Sequence, residues 1–162
     1  MLRCDELAQH YCHQYDIPLT ILRPSQLYDA ASKCRKHQAL FYSIVDRAAL
    51  GEDITIYGRN DALRNLLYLD DFCQIIVSVI EKELNGIFDC ASPDSYRLSD
   101  IAELAYRVFA RGGKVMFDTN MPDIPDLSLV FNSKLYEKIG LFPETDLPLG
   151  IEKIKEQRMA PT

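Results

Sequence analysis

RNLLYLDD, residues 64–71, is the stretch on which the reading of this chain turns. Its apolar centre, Leu66 to Leu69, is short and uninterrupted, as in an extended segment buried on both sides. Beyond it, Phe72, Ile75, Ile76, Val79 and Ile80 recur at three- and four-residue spacing and predict a helix. Asp70 or Asp71 then serves as the N-cap of that helix, at the positive end of its dipole. Arg64 has no comparable local reason. It is either a surface ion-pair partner or a clamp on an anionic ligand. Arg59 in the preceding turn and Arg23 at the end of TILRP would complete a guanidinium fork suited to a diphosphate.

Working outward, helices and strands alternate. Cys4, Leu7, Ala8, Tyr11 and Tyr15 share one stripe of a helix over residues 2–15, which DIP ends because the residue before Pro18 is pushed out of the helical region. LTILRP is a β-branched strand. The polar stretch YDAASKCRKHQ leads into a helix carrying Phe41, Ile44, Val45 and Ala48. DITIYG is a strand stopped by Gly58, RNDA a turn, and LRNLLYL the extended segment of the opening. NGIFDCAS reads as a strand, and Ser99 caps a helix striped by Ile101, Leu104, Ala105 and Val108. KVMFD is a strand and NMPDIPDLSLVF a loop. Asn132 or Ser133 opens a short helix closed by Gly140, and PLGIEKIKEQ is helical. The pattern is α/β with parallel pairing, over a single unit spanning residues 1–162.

The 162 residues suffice for one core without staples, and the 48% apolar share is that of an ordinary globular chain. No apolar run reaches the roughly 18 residues that cross a bilayer, and the charged start is unlike a signal peptide, so no membrane partner and a cytoplasmic location are expected. A net charge of −6 argues against nucleic acid, which needs a basic face. The five cysteines form no CxxC pair and read as reduced thiols, mostly filling core space.

Cys4, His10, Cys12 and His13 do not converge on one helical face, so no metal is assigned. There is no GxSxG elbow, and a hydrolase built on Cys73 or Cys90 would lack a base at recognisable spacing. No GxGxxG or GxxGxxG follows a strand; Gly112 and Gly113 are merely adjacent. Read alone, the chain should not hold NAD.

CDELAQHYCHQYDIPLTILRPSQLYD, DITIYGRNDALRNLLYLDDFCQII, NGIFDCASPDSYRLSDIAELA and FNSKLYEKIG stand in the order and spacing of landmarks in one family. The chain resembles the extended short-chain dehydrogenase/reductases, the NAD-dependent nucleotide-sugar epimerases and dehydratases, over their C-terminal half. The resemblance implies a Rossmann-like fold with a small α/β substrate-binding subdomain. It implies that Arg64 clamps the diphosphate of a nucleotide-diphosphate sugar and that Tyr57 lies beside the base. Gln26, where asparagine is common, would reach the sugar-phosphate, while Pro24 and Ser25 run close to the nicotinamide.

Two departures accompany the resemblance. Many members carry a second arginine in a loop that here reads TNMPDIPDLS, without one. Aligning the first helix puts Met1 at the catalytic lysine, so the catalytic tyrosine of Y-x-x-x-K and the glycine-rich half would precede the chain. No catalytic residue is therefore assigned. NAD or NADP belongs to the full-length family, and the chain alone is expected to bind neither and to be inactive. Two functions are open: the substrate-binding portion of an enzyme that oxidises a sugar hydroxyl and epimerises or dehydrates the keto-sugar, or a non-catalytic sugar-nucleotide-binding or dimerisation module. The expected partner is a missing N-terminal half, or a second copy through the first helix.

Overall fold

The computed structural model describes residues 4–160. The expected helix start at Leu2 and the alignment of Met1 lie outside them. The order is α1 (Cys4–Gln14), β1 (Thr20–Pro24), β2 (Gln26–Tyr28), a 3-10 turn (Lys33–Lys36), α2 (Ala39–Leu50), β3 (Ile54–Tyr57), β4 (Leu63–Tyr68) and α3 (Leu69–Glu81). Then come β5 (Gly86–Cys90), β6 (Ser95–Arg97), α4 (Leu98–Phe109), β7 (Val115–Asp118), α5 (Lys134–Ile139) and α6 (Leu147–Met159). Strands β1 and β5 pair in parallel, as do β3 and β7; β2 pairs parallel to β4, whose other edge carries β6 antiparallel. The α/β expectation holds.

β4 explains the opening stretch. Because side chains alternate along a strand, Leu66 and Tyr68 enter a core built with α2, α4 and α6, while Leu67 enters a second core with Ile75, Val79, Cys90, Leu135 and Tyr136. Both faces are covered, which is why the run is continuously apolar. Arg64 has the parity of Leu66 and therefore points to the first core's side.

Tyr28 anchors that core, edge-on to Phe41 and Tyr68 at 5.0 and 5.4 Å between ring centroids. Gly150 of α6 makes this possible: a Cβ there would sit 1.9 Å from the Tyr28 hydroxyl oxygen.

Both proposed aspartate and serine caps are corrected by the structure. α3 starts at Leu69 after Tyr68, and neither Asp70 nor Asp71 is its N-cap. Asp71 is buried instead, accepting from the Thr145 amide at 2.8 Å and the Thr145 hydroxyl at 3.2 Å, so it ties α3 to the entry of α6. Ser99 lies inside the first turn of α4, its amide donating to Asp61 at 3.1 Å, while Asp100 accepts from the Arg97 amide. In both places the residue expected to cap finds a long-range partner instead, Asp71 with the Thr145 donors and Ser99 with the Asp61 carboxylate. The cysteines are also less internal than expected: only Cys90 is buried, and Cys4 and Cys73 are exposed.

Candidate functional site

At Ser25 the chain changes partners. β1 runs beside β5 as far as Cys90, the Ser25 amide donates to the Cys90 carbonyl at 2.9 Å, and β2 then continues beside β4. A strand that leaves one neighbour for another opens a crevice at its carboxyl end, the place where open α/β sheets take ligands. Here the crevice is a pocket of about 370 Å³. Pro24, Ser25 and Gln26 form one wall, Gln38 at the start of α2 stands beside them, and Asp126 to Leu129 form the facing wall.

The polar groups of the near wall are incompletely used. Gln26 donates through Nε2 to Gln38 Oε1 at 2.7 Å. Gln26 Oε1 and Ser25 Oγ are buried without a hydrogen-bond partner. A buried polar atom left unpaired costs about 1–3 kcal/mol, so two of them beside one pocket mark a surface that gains by meeting a polar ligand.

Arg64 lies behind this pocket. It lines a small recess with Gln26, Gln38, Phe41 and Leu66, and is only 5% exposed. Its Nη1 donates to the carbonyls of Leu63 and Pro125, both at 2.8 Å. Burial lowers the guanidinium pKa, and the charge of Asp126 opposes that shift. Among the described residues it has no ion-pair partner.

What holds Arg64 is a strap, residues 118–129. Leu127 adds to the edge of β4 as a one-residue parallel bridge: Asn65 N donates to Leu127 O at 3.1 Å and Leu127 N to Leu63 O at 2.9 Å. Asp126 accepts from the Leu63 amide at 2.8 Å, and the Asn60 side chain donates to the Ile124 carbonyl at 2.6 Å. Gly58 is required where the strap crosses the end of β3. It has φ +92°, and a Cβ there would come within 2.5 Å of the Asp123 Cα.

Of the residues singled out in the sequence, Pro24, Ser25 and Gln26 come together on the pocket wall, with Arg64 adjoining through Gln26 and Gln38. Tyr57 does not line the pocket. It is half exposed at the end of β3, opposite Asp118 where the strap begins. The three-arginine fork is not assembled. Arg23 points outward and pairs with Asp5 of α1, while Arg59 is exposed with its amide on Asp123 Oδ1 at 2.6 Å. Gln38 and Asp126 were missed. The signal for Asp126 lies in TNMPDIPDLS, a loop without arginine that carries two aspartates, Asp123 and Asp126.

Neither cysteine considered for hydrolysis stands in a site that supports the reaction. Burial, then the charge of Asp89, pushes Cys90 up to about 11, and Cys73 is exposed on α3 with no assigned base. Among the described residues no group of three or more His, Cys, Asp and Glu could hold a metal. No described helix is long and apolar enough to cross a membrane.

For a dinucleotide the fit is poor. The adjacent glycines, Gly112 and Gly113, lie between α4 and β7, a helix-to-strand connection rather than the strand-to-helix turn that cradles a pyrophosphate. Gly113 has a packing reason instead, since a Cβ there would stand 2.4 Å from the Tyr106 hydroxyl oxygen. Pro24 and Ser25 offer one wall to such a ligand and no more, so no chemical step is assigned through it.

The element order and the crevice at a strand switch are those of a Rossmann-like α/β fold. The UDP-glucose 4-epimerase of Thermotoga maritima, solved with UDP-glucose, superposes with a TM-score of 0.81 at 19% identity, covering 94% of this chain and 50% of that one. The UDP-N-acetylglucosamine 4-epimerase of Bacillus cereus gives 0.81 at 18% identity, covering 98% and 52%. A family model of the NAD dependent epimerase/dehydratase family matches residues 2–91, and the chain belongs to that family. Among curated relatives, the GDP-L-fucose synthase of Sinorhizobium fredii is 26% identical over 159 residues, 93% of this chain and 50% of the relative. The UDP-N-acetyl-alpha-D-glucosaminuronate decarboxylase of Bacillus cytotoxicus is 21% identical over 117 residues, 70% and 36%. The chain thus spans half or less of the length of these two relatives.

Proposed function

We propose that this chain is the C-terminal, substrate-binding portion of an NAD(P)-dependent nucleotide-sugar epimerase or dehydratase, acting over residues 1–162 as one unit. The observation that carries the proposal is the pocket at the β1–β2 switch, with Ser25 Oγ and Gln26 Oε1 buried beside it and unpaired. In this reading Gln26 meets the sugar-phosphate and Pro24 and Ser25 stand toward the nicotinamide end. Arg64 reaches the diphosphate on releasing the Pro125 carbonyl, and Tyr57 contributes to the base from across the strap. No residue of the chain is given a catalytic role. The chain alone binds neither NAD nor NADP and does not turn over substrate. Five unpaired cysteines fit a reducing, cytoplasmic setting.

Calorimetry with UDP-glucose tests this. Binding heat is expected for the chain, with affinity about five- to tenfold weaker in Gln26→Ala, the equivalent of one lost hydrogen bond of about 1 kcal/mol. NAD should give none. Absence of heat with both UDP- and GDP-sugars would sink the proposal.

A second reading has its own support. α1 contains no buried residue; Leu7 and Tyr11 on its apolar stripe are 46% and 52% exposed, and Tyr15, just past its end, is 63% exposed. That face suits an assembly role, toward a complementary N-terminal half or a second copy. Light scattering showing a strictly monomeric, cooperatively melting chain would exclude self-association.

A further inference from the structure

Gln38 faces the pocket from the start of α2, yet its side chain is not spent on that helix. The Gln38 amide donates to the Cys34 and Arg35 carbonyls at 3.1 and 3.2 Å, its carbonyl accepts from the Tyr42 amide at 3.1 Å, and its side chain makes no capping bond. The backbone is pinned from both sides while the side chain reaches across to β2. There Gln38 Oε1 accepts from Gln26 Nε2 at 2.7 Å. Gln26 stands opposite Leu66 in the β2–β4 register, and both glutamines share the recess that Arg64 lines as well as lining the larger pocket.

A glutamine amide can turn over and offer a ligand either its oxygen or its nitrogen, because its terminal torsion is roughly twofold. Gln38 takes the nitrogen. What remains of Gln26 is Oε1, buried and without a partner, and an amide oxygen only accepts, so the group that satisfies it must donate. Arg64, beside the two glutamines, supplies the charge for the diphosphate. Pro24 and Ser25, next to Gln26 on the wall, are the nicotinamide end, which puts the donor on the hexose rather than on the ribose. We infer that Gln38 is a positioning residue: by holding Gln26 Nε2 it turns Gln26 Oε1 toward the ligand, so that the site reads a hydroxyl of the hexose as a hydrogen-bond donor. The inference rests on the reading of the pocket as a sugar-nucleotide site and adds how that site tells one sugar from another.

Calorimetry on the full chain compares UDP-glucose with its four analogues in which one hexose hydroxyl is replaced by fluorine, which cannot donate. All five ligands carry the same charge, so the contribution of Arg64 cancels in their affinity ratios. With the unmodified chain, one analogue should bind about five- to tenfold more weakly than UDP-glucose, the loss of one hydrogen bond. Gln38→Met fills similar space but frees the Gln26 amide to turn, and that penalty should fall to about twofold or less. Gln38→Glu keeps an acceptor for Gln26 Nε2; its charge weakens all five ligands together, and the fluorine penalty should keep its full size. A merely structural role for Gln38 would weaken all five ligands equally in Gln38→Met and leave the penalty intact. That result, loss of the penalty in Gln38→Glu, or no fluorine penalty in the unmodified chain would each overturn the inference while the site reading stands. Failure of UDP-glucose and its analogues to bind the unmodified chain would also overturn it, and if GDP-sugars failed as well the site reading would fall with it.

Discussion

Replacing Arg64 with methionine separates its role as a latch from any role as a clamp. The side chain fills similar space in the recess beside Phe41 and Leu66 but can donate to neither carbonyl. Leu63 O keeps a donor, because Leu127 N already reaches it at 2.9 Å. Pro125 O loses its 2.8 Å partner. A hydrogen bond from a charged donor contributes about 1.5–3 kcal/mol, and relief of guanidinium burial offsets part of its loss. A net cost of about 1–2 kcal/mol to the strap is expected. That amounts to roughly five- to thirtyfold less protection of the Leu127 and Asn65 amides, which bridge the strap to β4. Hydrogen exchange resolved by residue reads this directly. Should the opening be global, the melting temperature would fall by about 2–8 °C for a chain of this size. Unchanged protection at both amides would refute the latch and leave Arg64 with no structural task beyond packing.

Two further outcomes follow from the buried polar groups. Asp71→Ala strands the Thr145 amide and hydroxyl and should cost about 2–4 kcal/mol in chemical denaturation, against about 1 kcal/mol for a lost cap; a cost near the lower figure would restore the capping account. Burial raises the thiols of Cys90 and Cys34 from 9.0 to about 11, with Asp89 and Asp29 respectively adding to it. Since the folded state holds these protons more tightly, their contribution is complete below the unfolded thiol range and is lost as pH rises through about 11. The denaturation midpoint should therefore decline between about pH 9 and 11, less steeply in Cys90→Ala, and equal slopes in the two proteins would refute the assignment.

The amino-acid sequence alone determined the order of the longer elements, though not the three-residue strands β2 and β6, because alternating apolar periods of two and near 3.6, punctuated by Pro18, Gly58 and Gly140, are local properties of the chain. It also picked out Pro24, Ser25, Gln26 and Arg64, since their landmarks recur at family spacing. What it could not supply were contacts between distant residues. Asp71 looks like a cap until Thr145, 74 positions later, presents two donors to it. Arg64 looks like a free cation until Pro125 and Leu127 fold across its strand. Arg23 looks like part of a fork until α1 brings Asp5 against it. A buried polar group takes whichever partner the packed chain brings within about 3 Å, and that choice is made only when strands β1 to β4 and the 118–129 strap are laid side by side.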